Sequence, residues 1–184
     1  MAPKIGLFFG SSTGCGEGVA NLIKQIIEGA EKAEEEVQVV SADSAKVMEN
    51  YELLIFGAST WNIGELQDDW ALKFPELDSV NFAGRKIAFY GCGDQYGYSN
   101  SFIDAIGIIG EKVVAKGGSI VAWWPDGEYE YEFSRGAFEK TFMGLPVDND
   151  NQPEQTQQRV VNWTYWVMEE FGLMTAEEVA AAAA

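Results

Sequence analysis

Five short apolar segments recur along the chain, each separated from the next by a polar or amphipathic stretch. They lie at residues 5–9, 37–40, 53–57, 86–90 and 119–123. The first is a continuous apolar run, which is typical of a central strand in a parallel sheet covered on both faces. The pattern therefore predicts five β-strands.

Between these segments, apolar residues return at helical spacing. The clearest case follows the first strand, where one helix face would carry Val19, Leu22, Ile23, Ile26 and Ile27. Further helices are predicted near residues 67–74, 101–116 and 153–171. Strands that alternate with helices form βαβ units with right-handed crossovers. We therefore predict an α/β protein with a three-layer, doubly wound fold: a five-stranded parallel sheet with helices on both faces.

Residues 126–150 interrupt this alternation. The segment is rich in Gly, Tyr, Glu and Asp, and it contains a short apolar piece at residues 142–147. Such a long excursion is uncommon in a compact domain unless it serves a role. We predict an insertion that interrupts the fifth strand, which residues 142–147 then resume. Beyond a single domain at residues 1–173, residues 174–184 form an alanine-rich extension that is either flexible or helical.

The charge balance excludes several classes of function. The 184 residues include 29 acidic and 12 basic side chains, which gives a formal net charge of −17, and no histidine. A chain of this charge repels nucleic acids and anionic lipid surfaces. A histidine base and a histidine metal site are both impossible. The acidic stretch 31–36 is interpreted as a solvated helix end or loop.

Cysteine content and hydropathy bear on the compartment. Cys15 and Cys92 are too few for a disulfide scaffold and form no CxxC motif, which fits a reducing compartment. No apolar run approaches the roughly 20 residues of a membrane span, and no targeting peptide is visible. We expect a cytoplasmic protein, or a protein of the plastid stroma if a transit peptide has been removed.

The loop after the first strand has the composition of a phosphate site. In doubly wound sheets, ligands bind beyond the carboxyl ends of the strands. Here residues 10–16 read Gly-Ser-Ser-Thr-Gly-Cys-Gly at the start of a helix, where free N–H groups and the helix dipole attract anions. Capping needs one hydroxyl, and three stand in a row. Without the P-loop lysine or the dinucleotide spacing, the neutral donors suit a terminal monophosphate.

Two further loops carry an aromatic residue close to glycine. Trp61 follows the third strand in the stretch 59–67, and Tyr98 follows the fourth in the stretch 93–99. Either residue alone would usually be an ordinary half-buried aromatic. Together they indicate an aromatic sandwich around a flat ring, in which each stacked pair adds about 0.5–1.5 kcal/mol beyond area burial.

These three loops, together with Gly-Leu-Pro-Val-Asp at residues 144–148, resemble the flavodoxin family, specifically its long-chain type with an interrupted fifth strand. The resemblance runs from Lys4 to Leu173 and implies the strand order 2-1-3-4-5, with non-covalently bound FMN as the cofactor. It implies that Trp61 and Tyr98 sandwich the isoalloxazine. It also implies a phosphate site formed by Ser11, Ser12, Thr13, Gly14, Cys15 and Gly16.

The resemblance implies a role for each of the other cofactor contacts. Thr60 would contact the phosphate–ribityl region, and Asp150 would reach the ribityl chain. The peptide at Asn62 and Ile63 would respond to flavin N5, and Gly64 would ease its rotation. Along the pyrimidine edge the implied residues are Cys92 and Asp94.

One position departs from the family pattern. Gly16 stands where the phosphate loop usually ends in a threonine, so one hydroxyl donor is lost, at a net cost of about 0.5–1.5 kcal/mol. The neighbouring Cys15 is interpreted as a small loop residue. A redox role is the weaker interpretation, because the helix N-terminus favours a thiolate but no partner thiol is evident from the sequence.

The implied function is low-potential one-electron transfer between redox proteins, cycling between semiquinone and hydroquinone, without catalytic residues or a metal. The acidic surface would disfavour the anionic hydroquinone and steer basic partners toward the site. Candidate charges are Glu65, Asp68, Asp69, Asp94, Asp126, Glu128 and Asp148. The family implies ferredoxin–NADP reductase, photosystem I or nitrogenase components as partners, and we expect a monomer.

Two alternatives remain open at this stage. An FMN-dependent NAD(P)H:quinone reductase of related fold would need room over the flavin, which Trp61 and Tyr98 would close. A non-redox FMN-binding module would use residues 126–150 as its partner surface.

Overall fold

The structure is a computed structural model that describes residues 3–182; residues 1–2 and 183–184 lie outside this description. Strands and helices alternate along most of this part of the chain. The strands are β1 (Lys4–Phe9), β2 (Glu34–Val39), β3 (Leu53–Trp61), β4 (Glu65–Leu66), β5 (Lys86–Cys92), β6 (Ser119–Ile120), β7 (Trp124–Pro125), β8 (Ala137–Phe138), β9 (Thr141–Phe142) and β10 (Leu145–Val147). The α-helices are α1 (Cys15–Ala30), α2 (Asp68–Lys73), α3 (Asp104–Ala115), α4 (Pro153–Glu170) and α5 (Ala176–Ala182). Short 3-10 helices span Ala45–Asn50 and Phe74–Ser79.

The central sheet has the predicted parallel order. Strands β2, β1, β3 and β5 lie side by side and parallel, and the fifth position beside β5 is shared by β6 and β10. Ser119–Ile120 pairs with the start of β5, and Leu145–Val147 pairs with its end. The predicted doubly wound fold and the interrupted fifth strand are therefore confirmed.

The insertion between the two halves of the fifth strand forms its own small sheet. Strands β7, β9 and β8 pair antiparallel. Phe142 anchors this sheet to the domain, with its ring 5.8 Å from Phe102 and 5.5 Å from Tyr129 between centroids. The first half of the fifth strand ends earlier than the predicted residue 123, because Ala122 adopts a left-handed φ of 56°.

Both faces of the sheet are buried, and alternate residues of each strand serve different faces. Phe56 faces α2 and α3, where its ring meets Phe8, Phe82, Phe89 and Trp70 at edge-to-face distances of 5.3–6.2 Å. The neighbouring Ile55 faces α1 and α4. This two-sided burial explains the continuous apolar runs in the sequence.

The prediction of a helix end or loop for residues 31–36 holds for residues 31–33, which follow the end of α1, and is wrong for residues 34–36. Glu34–Glu36 belong to β2 and pair with Lys4–Gly6 of β1 rather than forming a loop. Strand β2 lies at the edge of the sheet, and its exposure alternates along the strand. Charged side chains are tolerated there and discourage edge-to-edge association, so the acidic composition did not prevent strand formation.

Most of the described part of the C-terminal extension is helical, since α5 spans Ala176–Ala182. Helix α5 lies beyond α4, and Glu178 forms an ion pair of 2.6 Å with Lys32. The last two residues of the predicted extension, 183 and 184, lie outside the described residues. Within residues 3–182, no helix has the length and apolarity needed to cross a membrane.

Gly57 in β3 provides a test of how closely the central strands pack. A Cβ at this position would lie 2.0 Å from Cζ of the buried Tyr90. Gly57→Ala is therefore expected to lower the free energy of unfolding by about 1–3 kcal/mol, measured by urea denaturation. Gly29→Ala is the control, because nothing lies within 4 Å of its Cβ. It should raise stability by about 0.5–1 kcal/mol as a helix-propensity gain. Equal effects of the two substitutions would contradict the packing argument.

Candidate ligand-binding site

A cleft of about 690 Å³ opens at the carboxyl ends of β1, β3, β5 and β10. Four loops meet there, because parallel strands deliver their carboxyl ends to one edge of the sheet. The lining residues are Thr13, Gly14, Cys15, Ser59, Thr60, Trp61, Asn62, Cys92, Gly93, Asp94, Tyr98, Val147, Asn149 and Asp150. This is the place where the sequence analysis expects a ligand.

The first loop leads into the N-terminus of α1. Gly14 precedes the helix with a φ of 90°, and no side chain caps α1. The first backbone N–H groups of a helix have no acceptor within the helix, so they and the helix dipole are available to an anion. A Cβ on Gly14 would meet no atom within 4 Å, so the loop is open on this side. The geometry suits a small anion such as a phosphate.

Gly16 lies beneath this loop rather than on its surface. It is buried, and a Cβ at this position would be 2.8 Å from the carbonyl oxygen of Gly10. Its own carbonyl accepts a buried hydrogen bond of 2.7 Å from the Tyr90 hydroxyl. The structure therefore explains why glycine replaces threonine at residue 16, because a side chain there would collide with the turn of the loop.

The two serines of the loop already have partners. Ser11 Oγ accepts a bond of 3.1 Å from the Gly14 N–H, and Ser12 Oγ accepts one of 3.1 Å from Gln67 Nε2. Gln67 is itself buried and its Oε1 accepts from the Asp69 N–H at the start of α2. Gln67 therefore positions the loop against α2, a role that the sequence analysis did not assign.

The second loop is a tight hairpin between β3 and β4. Thr60 pairs with Leu66 and Trp61 with Glu65, so residues 62–64 make the turn. Asn62 and Gly64 have positive φ values of 49° and 83°. Trp61 lines the cleft with 37% of its surface exposed. The turn needs a left-handed backbone conformation at two positions, and asparagine and glycine are the residues that adopt it most readily.

Thr60 also connects this hairpin to helix α3. Its Oγ1 accepts a bond of 3.0 Å from the N–H of Ala105 in the first turn of α3. The threonine lines the cleft at the same time. Its hydroxyl proton is free to donate to a ligand while the oxygen caps the helix.

The third loop follows β5 and carries Tyr98, which lines the cleft and is 51% exposed. Asp94 holds the loop in shape: its Oδ1 accepts from the N–H groups of Gly97 at 2.7 Å and Tyr96 at 3.0 Å, and from Asn151 Nδ2 at 2.8 Å. The Gly97 bond is the main reason that the pKa of Asp94 lies below its usual value, and the Asn151 and Tyr96 bonds act in the same direction.

A buried carboxylate ties the third loop to the fourth. Asp148 is 1% exposed, and its Oδ2 accepts from the Gln95 N–H at 3.1 Å and from Gln95 Nε2 at 2.8 Å. Its Oδ1 accepts from the N–H of Asn151 at 3.0 Å. Asp148 was one of the candidate surface charges, but it lies in a hydrogen-bonded network under the loops instead.

The structure brings together most of the predicted site residues. Ten line the cleft: Thr13, Gly14, Cys15, Thr60, Trp61, Asn62, Cys92, Asp94, Tyr98 and Asp150. Five do not line it: Ser11, Ser12, Gly16, Ile63 and Gly64. The sequence analysis did not assign four lining residues, Ser59, Gly93, Val147 and Asn149. The first three lie within the motifs that carry the family resemblance, so the signal for them was present.

The two cysteines meet at this cleft, which changes the interpretation of Cys15. Both line it, and the interaction with Cys92 is the main reason that the pKa of Cys15 lies below its usual value. A second thiol therefore lies in the same cleft, although the sequence alone did not reveal it. The reason is topological, because α1 and β5 are distant in sequence and meet only in the fold.

The fold and the cleft define a doubly wound α/β protein with a ligand site at the carboxyl edge of its sheet. A flavodoxin family profile matches residues 7–163. Flavodoxin of Synechococcus elongatus is 42% identical over 170 residues, 92% of this chain and 99% of the relative. Flavodoxin 1 of Escherichia coli is 40% identical over 169 residues, 91% of this chain and 94% of that protein. The chain belongs to the flavodoxin family.

Solved structures agree with this assignment. The crystal structure of Fusobacterium nucleatum flavodoxin bound to flavin mononucleotide matches with a TM-score of 0.85 and 28% identity, over 91% of this chain and 98% of that one. Oxidised flavodoxin 1 from Bacillus cereus matches with a TM-score of 0.70 and 25% identity, over 90% of this chain and 97% of that one.

The hydrogen bonds to Asp94 predict a pH-dependent contribution to stability. Because its folded-state pKa is lowered, this contribution is complete above the unfolded value of about 3.9 and is lost as pH falls through the folded value. Asp94→Asn should lower the free energy of unfolding by about 1–2 kcal/mol at neutral pH. The difference from wild type should shrink below about pH 3.9.

Urea denaturation across this pH range measures the effect. Asp43→Asn is the control, since Asp43 is an exposed carboxylate outside the cleft. A deficit of Asp94→Asn that stays constant down to acid pH would contradict the assignment.

Proposed function

We propose that the protein is a low-potential one-electron carrier that uses non-covalently bound FMN and passes electrons between redox proteins. The observation that carries the proposal is one cleft in which an uncapped helix N-terminus and two exposed aromatic side chains stand on separate loops. FMN supplies one-electron redox chemistry when it is bound. The remaining question is what the residues of this chain contribute.

The cleft fits both ends of FMN. At the phosphate end, the free N–H groups of α1 and the open surface at Gly14 offer neutral donors to a dianion. At the ring end, Trp61 and Tyr98 line the cleft with exposed side chains, which is expected where a planar ligand covers them. Ser59, Gly93 and Asn149 extend the predicted set of contacts.

The acidic side chains in the cleft support a low potential. Asp94 and Asp150 line it, and the hydrogen bonds of Asp94 favour its charged form. A negative charge about 10 Å from an added electron opposes it by about 0.4–1.7 kcal/mol, depending on the effective dielectric constant. The other candidates contribute less directly: Glu128 is paired with Arg159, and Asp126 accepts from the Tyr131 hydroxyl.

The finer assignments are also proposals. The insertion between β6 and β10 supports the long-chain type, and residues 1–173 are proposed as the FMN-binding domain. The net charge of −17 favours partners with basic surfaces, such as ferredoxin–NADP reductase, photosystem I or nitrogenase components. The bacterial relatives support a cytoplasmic location.

The reductase alternative is not favoured. Named relatives over more than nine-tenths of the chain are flavodoxins, which transfer electrons and are not enzymes. Trp61 and Tyr98 also stand on two loops of the cleft, where a second substrate would have to approach the ring.

Spectroelectrochemical titration of the full chain reconstituted with FMN tests the function. The expected result is two separate one-electron steps, with the second potential below that of free FMN. Absence of any reversible reduction would point to the non-redox binding module. Rapid bleaching by NADPH alone would point to the reductase, and either result would overturn the carrier.

The aromatic pair predicts the affinity for FMN. Trp61→Ala and Tyr98→Ala should each weaken binding by at least about 1 kcal/mol, or roughly fivefold in Kd, because a stacking face is lost. Quenching of FMN fluorescence measures this affinity. Phe138→Ala is the matched control, since Phe138 is an aromatic residue with 62% exposure outside the cleft. Weakening by the control alone would contradict the sandwich.

The turn at residues 62–64 predicts an effect on the first potential. Proline cannot adopt the φ of 83° at Gly64, so alanine is the appropriate substitution. Gly64→Ala strains the turn and restricts the Asn62 carbonyl, which is proposed to accept a hydrogen bond from flavin N5 once that nitrogen carries the proton that accompanies the first electron. The first midpoint potential should fall by about 20–60 mV, equivalent to about 0.5–1.4 kcal/mol.

Gly84→Ala provides a control for backbone strain, because Gly84 has a φ of 78° and lies outside the turn between β3 and β4. It should leave both potentials unchanged. If Gly64→Ala also leaves both unchanged while FMN binding persists, the proposed role of the turn is wrong.

A further inference from the structure

The cleft contains a pair of thiols on its floor. Cys15 is the first residue of α1, and Cys92 is the last residue of β5. Both line the cleft, and the two thiols interact, since each shifts the pKa of the other. Both are free thiols. Both were predicted as contacts of FMN, but the electron transfer proposed above uses neither thiol as a redox group.

A buried hydrogen bond and strand pairing fix the segments that carry the two thiols. Tyr90 lies two residues before Cys92 and faces the same side of the sheet. Its hydroxyl donates the 2.7 Å bond to the carbonyl of Gly16, the residue after Cys15. On either side of β5, Cys92 is opposite Ser59 and Val147. The start of α1 is therefore fixed against the end of β5, and the contact does not depend on a mobile loop.

The two thiols differ in environment. Cys15 is partly exposed, stands at a helix N-terminus and accepts a bond of 3.5 Å from Asn149 Nδ2. The contact with Cys92 lowers the pKa of Cys15, although burial, Asp150 and Asp148 oppose this effect. The same contact, together with burial, raises the pKa of Cys92 well above its usual value. Exposure at a helix N-terminus therefore makes Cys15 the nucleophile, and burial makes Cys92 the resolving thiol.

We propose that Cys15 and Cys92 are a peroxide-reactive dithiol that closes to an intramolecular disulfide across the floor of the cleft. The Cys15 thiolate attacks hydrogen peroxide, the O–O bond breaks, and a sulfenic acid forms on Cys15 as hydroxide leaves and is protonated to water. The Cys92 sulfur then attacks the Cys15 sulfur. The S–O bond breaks, a second water leaves with the Cys92 proton, and the disulfide forms. Two thiols are oxidised and one peroxide is reduced.

The arrangement of the pair explains why the disulfide would form within one chain. The resolving thiol lines the same cleft as the sulfur that is oxidised, so the second step needs no encounter with another molecule. Cys92 is 5% exposed, which protects it from direct attack by peroxide and from exchange with other proteins. The bond would join the predicted phosphate loop to β5, and a thiol reductant would reverse it.

Mass spectrometry of the full chain after exposure to hydrogen peroxide tests the proposal. The wild-type protein should lose two hydrogen atoms, and peptide mapping without reduction should recover one cross-linked pair containing Cys15 and Cys92. Dithiothreitol should restore the original mass. Retention of both thiols, or a disulfide that joins two chains, would overturn the proposal.

Two serine variants assign the roles of the thiols. Cys92→Ser should stop at the first step, with one oxygen added to Cys15 that dimedone traps. In Cys15→Ser, the remaining thiol should be oxidised at least about tenfold more slowly than Cys15 is in the wild-type protein, because the reactive thiolate is gone. Faster oxidation of Cys92 than of Cys15 would overturn the assignment. The wild-type result stands independently of these variants, and none of these measurements depends on FMN.

Discussion

Tyr90 occupies the point at which the strands, the helix and the cleft are joined. Its ring lies against Gly57 of β3, where even a methyl group would not fit, and its hydroxyl bonds the carbonyl of Gly16 at the start of α1. The ring also meets Trp163 of α4 edge to face, with 6.4 Å between centroids. Because all of this is buried, the hydroxyl has no water as an alternative partner. The contacts of Tyr90 therefore fix the positions of β3, β5 and α1, from which the loops at the carboxyl edge extend.

In the loops at the carboxyl edge, the shape of the cleft depends on carboxylate and amide side chains that connect one loop to another. Asp148 holds Gln95, and the Gln95 side-chain oxygen in turn accepts from the N–H of Glu130 in the insertion at 2.7 Å. The insertion is therefore braced against the loop that carries Tyr98. The sequence predicted the insertion but not this contact. Its contribution to the site is mechanical, since it supports a loop rather than lining the cleft.

The same edge of the sheet concentrates charge and reactive groups. Asp94 and Asp150 line the cleft beside Cys15 and Cys92, in a chain whose net charge is −17. Acidic neighbours oppose both added electrons and thiolate formation. The interaction with Cys92 lowers the pKa of Cys15, whereas burial, Asp150 and Asp148 act in the opposite direction.

Local pattern was sufficient for much of this protein. The sequence alone determined the fold class and most of the cleft, because the signals for them depend on neighbouring residues. These signals are the apolar runs of β1, β3 and β5, the helical spacing of α1, and the glycine, hydroxyl and aromatic composition of three loops. Tertiary structure decided the rest. Glu34–Glu36 form a strand because β1 supplies its partner groups; Gly16 and Asp148 are buried by distant elements; and Cys15 meets Cys92 only because α1 packs on β5. These outcomes depend on contacts between residues far apart in sequence, which no local pattern records.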